Sequence, residues 1–194
     1  MTRVEQKQAQ KRREILMALL PVLEKKTVDE LSVKDICDIA GISIGSFYHY
    51  FENKSDVLVA LFTRTDTYME EVAFPKMTSD DELENIRIFA TCWLEYNESD
   101  GPERSKMISS IGVTDSSIGG GTRTPIKALT EQIARGQKKG LIEDSLTPEM
   151  TATLFMIALR GIGLDWTRRG GTYSLTGYGK DYIDMLIKAL KKQA

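Results

Sequence analysis

Ser43-Ile44-Gly45-Ser46-Phe47-Tyr48-His49-Tyr50-Phe51-Glu52-Asn53-Lys54 is the stretch on which the reading of the whole chain turns. It stands directly behind the turn Ala40-Gly41-Ile42, gathers aromatic and hydroxyl side chains, and contains His49, the only histidine of the chain. A helix that packs on its own protein buries its aromatics and keeps charge on the outer face. Here Tyr48, His49 and Tyr50 surround Phe47 and Phe51, with too few charges for an ordinary solvated face. The reading is a helix that lies against something other than water or its own protein, with the major groove of DNA as the expected seat.

The flanks support that use. Ser32-Val33-Lys34-Asp35 is an S-x-x-D helix start, in which the serine oxygen accepts from a free backbone N–H. The helix it opens is brief, with Val33, Ile36 and Ile39 facing inward and Gly41 ending it as a left-handed cap. Only Ile42 separates that cap from Ser43, the next N-cap candidate. Two short helices joined by a glycine-containing turn are the helix-turn-helix arrangement. Packed helix pairs with no DNA role can share this spacing.

Upstream, residues 3 to about 26 read as one helix, striped by Ile15, Leu16, Leu19, Leu20 and Leu23. Within residues 1 to 13, ahead of that stripe, Arg3, Lys7, Lys11, Arg12 and Arg13 stand against a single acid, Glu5. Positive charge at the positive end of a helix dipole calls for a compensating partner such as phosphate; a solvated charge run is the plainer alternative. Pro21 removes one backbone hydrogen bond near the end of this helix. Downstream, Asn53 is a third N-cap candidate beside Lys54, followed by Val57, Leu58, Leu61 and Phe62. That helix is expected to run to about Phe74, where Pro75 stops it. Thr78 to Asp81 is a polar connection. Residues 1–53 are read as a DNA-binding domain and 54–194 as a helical domain, linked by a helix that softens the edge.

The bulk numbers suit an ordinary soluble globular protein: 194 residues, 41% hydrophobic, 28% charged, formal net charge −2. Such a balance excludes a globally basic nucleic-acid coat, so DNA binding must come from local charge. Cys37 and Cys92 form no C-x-x-C unit and no zinc spacing with the one histidine, so they read as free thiols in a reducing cytoplasm. The first residues lack a secretory pattern, and runs such as Ile15 to Leu23 are too short to span a bilayer. No metal, cofactor or membrane is expected.

The remainder reads as helix. Leu83, Ile86, Phe89, Ala90, Trp93, Leu94 and Tyr96 mark a long amphipathic helix, and Pro102 to about Ile111 a shorter one. Asp115 to Thr124, with three successive glycines, reads as a flexible segment. Ile126, Leu129, Ile133 and Gln137 mark a helix ending at Gly140. Thr147-Pro148-Glu149 opens one that is nearly all apolar from Met150 to Leu164, and Gly170-Gly171 breaks it. Tyr182, Ile183, Leu186, Ile187 and Leu190 stripe the last. The fold class is therefore all-α: an N-terminal three-helix domain with a helix-turn-helix, then a larger helical bundle.

Residues 11 to 62 resemble the TetR family of transcriptional regulators. The resemblance rests on Ile15-Leu16, on Ser32-Val33-x-x-Ile36, on the turn Ala40-Gly41-Ile42-Ser43, and on Gly45-Ser46-Phe47-Tyr48-His49-Tyr50-Phe51 with Lys54. The Y-H-Y-F run with a lysine three residues later is its specific part. Gly140-Leu141, Asp165-Trp166 and Gly170-Gly171 match the family only in layout. Departures are Thr27 where glycine is usual, Cys37 for a small alanine, Pro21 at an exposed position, and Ile44 where many members are polar.

The resemblance implies a homodimer that places two recognition helices in successive major grooves of a palindromic operator. The chain would then be a sequence-specific transcriptional regulator, and by the family pattern a repressor released by a small-molecule effector. Within the DNA-facing set, Gly45 permits close backbone approach, while Ser43, Ser46, Tyr48 and His49 offer hydrogen bonds. Ile44 offers an apolar contact to a thymine methyl. Ser32, Lys34 and Lys54 are expected at phosphates. Phe47 and Phe51 belong to the core beneath, and Tyr50 fits either role. Helices 148–168 and 175–192 carry apolar faces beyond one bundle's needs and are expected to pair with a second copy. Phe89, Trp93, Tyr96, Met107, Phe155, Met156 and Trp166 are candidates for lining an effector pocket. Each is also an ordinary core residue by spacing. Arg104, Arg160 and Asp165 are possible polar contacts there.

Two other readings bear on function. An enzyme would need chemistry that the chain does not display: there is no P-loop, H-E-x-x-H, G-x-S-x-G or cysteine–histidine pair in helical reach. A DNA-binding adaptor regulated by a protein partner, with no small ligand, differs from the effector reading only in what its second domain binds.

Overall fold

The computed structural model describes residues 3–23, 25–26, 28–102, 105 and 123–193. Their regular structure is helical: α1 Arg3–Leu23, α2 Val33–Ala40, α3 Ile44–Tyr50, α4 Lys54–Tyr68, α5 Glu82–Asp100, α6 Thr124–Lys138, α7 Pro148–Arg168 and α8 Leu175–Leu190. The chain divides into two compact units, Met1–Arg64 and Thr65–Ala194. The division falls inside α4 rather than at its start after residue 53. The reason lies in local bonding, because the beginning of α4 is tied to the first unit. Lys54 donates to the Leu31 carbonyl at 3.2 Å, Arg12 pairs with Asp56 at 3.1 Å, and the Glu52 N–H donates to Asp56.

In the first unit the leucine stripe of α1 is buried as expected, with Leu19 fully enclosed. The helix ends at Leu23, earlier than residue 26, and Lys25 and Lys26 both turn back onto the Val22 carbonyl. Pro21 sits inside α1 with its ring exposed. Val28, Leu31, Ile36, Cys37, Phe47, Phe51, Val57, Ala60 and Leu61 are buried with them. Thr27 and the side chains of Arg3, Glu5, Leu58 and Phe62 lie outside the described residues.

The expected helix to Phe74 changes its winding before it stops. Its α-helical bonding ends at Tyr68, and Met69–Ala73 continue as a π turn in which the Phe74 N–H reaches the Met69 carbonyl. A 3-10 turn, Phe74–Lys76, then takes in Pro75. Proline has no N–H to return to the fourth residue before it, so the chain cannot carry α-bonding through this point.

In the second unit α5 is central, packing against α6 and α8, while α6 packs against α7. Asp81 caps α5 by accepting from the Leu83 N–H at 2.9 Å, and Thr147 caps α7 ahead of Pro148. Two close crossings depend on glycine. A Cβ on Gly136 would fall 2.4 Å from Ile142 Cδ1, and one on Gly179 would fall 2.2 Å from Leu94 Cδ1. Met107, Arg104, most of the expected helix from Pro102 to Ile111, and most of the glycine-rich segment lie outside the described residues.

The start of α8 is held by a carboxylate from α5. Glu98 accepts from the Leu175 N–H at 2.8 Å, from the Thr176 N–H at 3.2 Å and from the Thr176 hydroxyl at 2.5 Å. Burial pushes the Glu98 carboxyl up, but hydrogen bonds from Thr176, Ser174 and Leu175 outweigh it and hold the group below its ordinary value. A carboxylate lowered on folding supports the fold above its unfolded pKa and loses that support as pH falls through the lowered value. Glu98→Ala is expected to cost the second unit about 1–2 kcal/mol at neutral pH, the size of a lost helix cap. In denaturant melts the gap from the parent should close as pH drops below about 4.

Candidate nucleic-acid interface

Ser32 and Asp35 cap α2 reciprocally. The Asp35 N–H donates to Ser32 Oγ at 3.1 Å, while the Ser32 N–H and hydroxyl donate to Asp35 Oδ2 at 2.8 and 2.6 Å. Those bonds from Ser32, hydroxyl first and backbone second, hold the Asp35 carboxyl below its usual range. The Ser32 hydroxyl is therefore already committed to its own helix, though the residue is exposed. Gly41 ends α2 with φ 63°, the left-handed conformation that favours glycine, and the Ile42 N–H returns to the Cys37 carbonyl at 3.0 Å. Ser43 then caps α3, accepting from the Ser46 N–H at 3.1 Å, with the two hydroxyls 2.9 Å apart.

The seven residues of α3 divide cleanly by face. Phe47 and the following Phe51 are 0% and 1% exposed, with ring centroids 5.4 Å apart, and form the floor. Ile44, Gly45, Tyr48 and His49 occupy the steps i, i+1, i+4 and i+5 and face outward. Ile44 is 51% exposed and Tyr48 is 56% exposed. Ser46 and Tyr50 are half-buried, and Tyr50 leans edge-on against His49 at 4.9 Å. A Cβ at Gly45 would meet nothing closer than Ser43 Oγ at 3.9 Å, so packing within the chain does not require glycine there.

Charge around this helix is partly engaged. Lys34 is exposed and Lys54 half-buried against the Leu31 carbonyl, which joins the starts of α4 and α2. Asn53 caps α4 by accepting from the Asp56 N–H at 3.0 Å. Within the basic cluster of α1, Lys11 pairs with Glu14 at 2.9 Å. Arg12 lies over the Phe51 ring at 4.9 Å while it pairs with Asp56. From the sequence, this cluster fits either phosphate contact or a solvated charge run. Arg12 instead fastens α1 to the end of α3, a role that no sequence spacing announces because Asp56 is so distant in the chain. Lys7 and Arg13 are exposed.

A capped α2, a left-handed Gly41, and an α3 with buried phenylalanines beneath an exposed outer face make a helix-turn-helix. Residues 15–61 match the family model of bacterial regulatory proteins, tetR family. Over those residues the chain is similar to the TetR family. A TetR-family helix-turn-helix accounts for the cap, turn and aromatic run together. Among characterised relatives, the transcriptional regulator AcuR of Cereibacter sphaeroides is 29% identical over 100 residues, covering 50% of this chain and 46% of AcuR, so less than half of that relative is matched. The fold likeness extends further. The fatty acid degradation regulator FadR of Bacillus halodurans superposes with a TM-score of 0.78 at 21% identity, covering 94% of this chain and 97% of FadR. FadR of Bacillus subtilis, solved in complex with stearoyl-CoA, gives a TM-score of 0.74 at 16% identity, covering 92% and 98%.

The effector-pocket candidates fall in the interior of the second unit. Phe89, Trp93, Tyr96, Phe155, Met156 and Trp166 are all buried, and Phe89 stacks on Trp93. Trp166 has a structural task as well, donating its indole N–H to the Tyr173 carbonyl at 2.8 Å across the turn into α8. Asp165 is exposed and pairs with Arg169 at 2.9 Å. Arg123 is bound to Asp66. Partial burial, then the like charge of Arg123, push the Arg160 guanidinium down from its ordinary value. Among the described residues there is no group of three or more His, Cys, Asp or Glu placed to hold a metal, and no helix long and apolar enough to cross a membrane.

Proposed function

We propose that the chain is a cytoplasmic, sequence-specific transcriptional regulator that binds a palindromic operator as a homodimer and acts as a repressor released by a small-molecule effector. The observation that carries the reading is the outer face of α3. A seven-residue helix that leaves Ile44 and Tyr48 exposed beside an unobstructed Gly45 is built for an external partner. Ser43, Ile44, Gly45, Ser46, Tyr48 and His49 would meet the groove, with Lys34 and Lys54 at phosphates; Ser32, whose N–H and hydroxyl both serve Asp35, would support them as the cap of α2. The unit Met1–Arg64 would read DNA, and Thr65–Ala194 would dimerise and receive the effector.

Phosphate contacts set affinity without sequence preference, so Lys54→Ala should weaken binding to all sequences alike. Its mark is the salt dependence, whose log–log slope should fall by about one. Affinity measured across salt concentrations checks this; an unchanged slope would remove Lys54 from the phosphate set. Ile44→Ala and Ser46→Ala should instead change the preference between sites.

Dimerisation is supported by the outer faces of α7 and α8. Met150, Leu154, Ile157 and Leu164 on α7, and Tyr178 and Met185 on α8, are all more than 45% exposed. Large apolar side chains exposed in this number on two successive helices favour an interaction site there. Effector release follows if a ligand favours a dimer geometry that no longer fits the groove spacing. The buried aromatics of α5 and α7 are the proposed lining. A regulator controlled by a protein partner is the alternative. Thermal melts against a ligand panel, stearoyl-CoA among the probes, separate the two. A pocket binder gains roughly 2.7 kcal/mol at a hundredfold excess over its Kd, and an adaptor gains from none.

A further inference from the structure

We infer that Arg12 and Asp56 are a positioning pair that sets how α3 lies against DNA without themselves holding it, an inference that rests on the DNA reading above. The start of α3 is secured locally, by the Ser43 cap and the left-handed turn at Gly41. Its end is not closed in that way. At Phe51 the backbone is already extended, with φ −135° and ψ 131°. A helix of seven residues cannot hold itself in water, so its direction depends on what grips its two ends.

The far end is gripped from α1 and α4. The Arg12 guanidinium lies over the Phe51 ring, 4.9 Å from its centroid, and its Nη2 donates to Asp56 Oδ1 at 3.1 Å. The other oxygen of Asp56 accepts from the Glu52 N–H at 3.2 Å, and the Asp56 N–H donates to Asn53 at 3.0 Å. One carboxylate in the first turn of α4 therefore ties the chain leaving α3 to α1. The guanidinium suits this task because it covers a ring with its face and donates from its edge. Tyr48 and His49 stand in the last turn of α3 on its outer face, so their placement follows this end of the helix more than its start.

Phosphate is a poor competing partner for Arg12. Its charge is matched by Asp56, and a phosphate seated on it would lie beside that carboxylate. The pair instead contributes to the choice between sequences, by fixing which base edges Tyr48 and His49 can reach.

Arg12→Lys, Asp56→Asn and the double variant test this in the full chain. Lysine keeps the charge and loses the planar fork, while asparagine keeps an oxygen for the Glu52 N–H and loses the charge. Affinity is measured across salt concentrations for the DNA upstream of the chain's own gene and for an unrelated fragment of equal length, with folding followed by circular dichroism. The ratio of the two affinities is the readout, since a loss of folded protein lowers both by one factor. Each single variant should lower the ratio about tenfold, the loss of one charge-assisted contact. The double variant should lower it no further, as two residues acting through one contact do. The salt slope on the unrelated fragment should stay at the parent value in Arg12→Lys. Asp56→Asn that binds both fragments more tightly at an unchanged ratio would reveal Arg12 as a phosphate ligand set free, and would overturn the inference. Single variants at the parent ratio, or losses that multiply in the double variant, overturn it as well. A parent with no preference between the fragments overturns the sequence-specific reading itself.

Discussion

Phe47→Ala is expected to lower the stability of the N-terminal unit by about 3–5 kcal/mol, the cost of removing a fully enclosed aromatic ring. Small domains have only about 5–15 kcal/mol in total, so little of the helix-turn-helix would persist in this variant at 37 °C. The ring cannot be replaced by local collapse, because Phe51 and Tyr48 both lie against it and Phe51 is itself held under Arg12. Tyr48→Ala, one residue away, is the informative contrast. Tyr48 faces outward, and exposed substitutions usually fall within about 0.5 kcal/mol. Denaturant melts should therefore separate the two neighbours widely, while DNA affinity falls in both. If Tyr48→Ala destabilised the unit as much as Phe47→Ala, the division of α3 into floor and outer face would be wrong.

Ile157→Glu is expected to convert the dimer to monomers. Ile157 is 57% exposed in the single chain and sits in the middle of the exposed apolar residues of α7. An unpaired carboxylate buried at an interface costs about 3–5 kcal/mol, which raises the dissociation constant by a factor of roughly 10²–10⁴. The monomer should keep its helicity and melting behaviour, since the substituted position faces away from the core. On the proposed reading, operator affinity should collapse with the dimer, because each subunit would meet only one half-site. Sedimentation and binding measured on the same preparation check both halves. A variant that stays dimeric would place the subunit interface elsewhere.

How far the sequence discloses these features depends on how local their causes are. The caps at Ser32, Ser43 and Asn53 and the left-handed turn at Gly41 are legible because each depends on a few adjacent residues. Phe47 and Phe51 are assigned to the core correctly by spacing, and Tyr50, which fits either role, lies half-buried. The partners of Arg12 and Lys54 are not legible, since Asp56 and the Leu31 carbonyl reach them only through the folded chain. The π turn at Met69–Ala73 is hidden for a related reason: the apolar pattern of α4 persists through it while the hydrogen bonding changes. In α7 the run from Met150 to Leu164 is nearly all apolar, so periodicity cannot separate the buried Phe155 and Leu159 from the exposed Leu154 and Ile157. The same difficulty holds for Phe89, Trp93 and Met156, because burial in a packed core and burial around a ligand leave one sequence pattern.

The proposed reading of DNA by the outer face of α3 as a symmetric pair is tested by a footprint of the purified chain on the DNA upstream of its own gene, at stated salt, alongside Ile44→Ala. Two protected half-sites about 34–36 Å apart or a multiple of that spacing are expected, with the preference for that site lost in Ile44→Ala. Weak protection spread evenly over the fragment, and indifferent to Ile44→Ala, would contradict it.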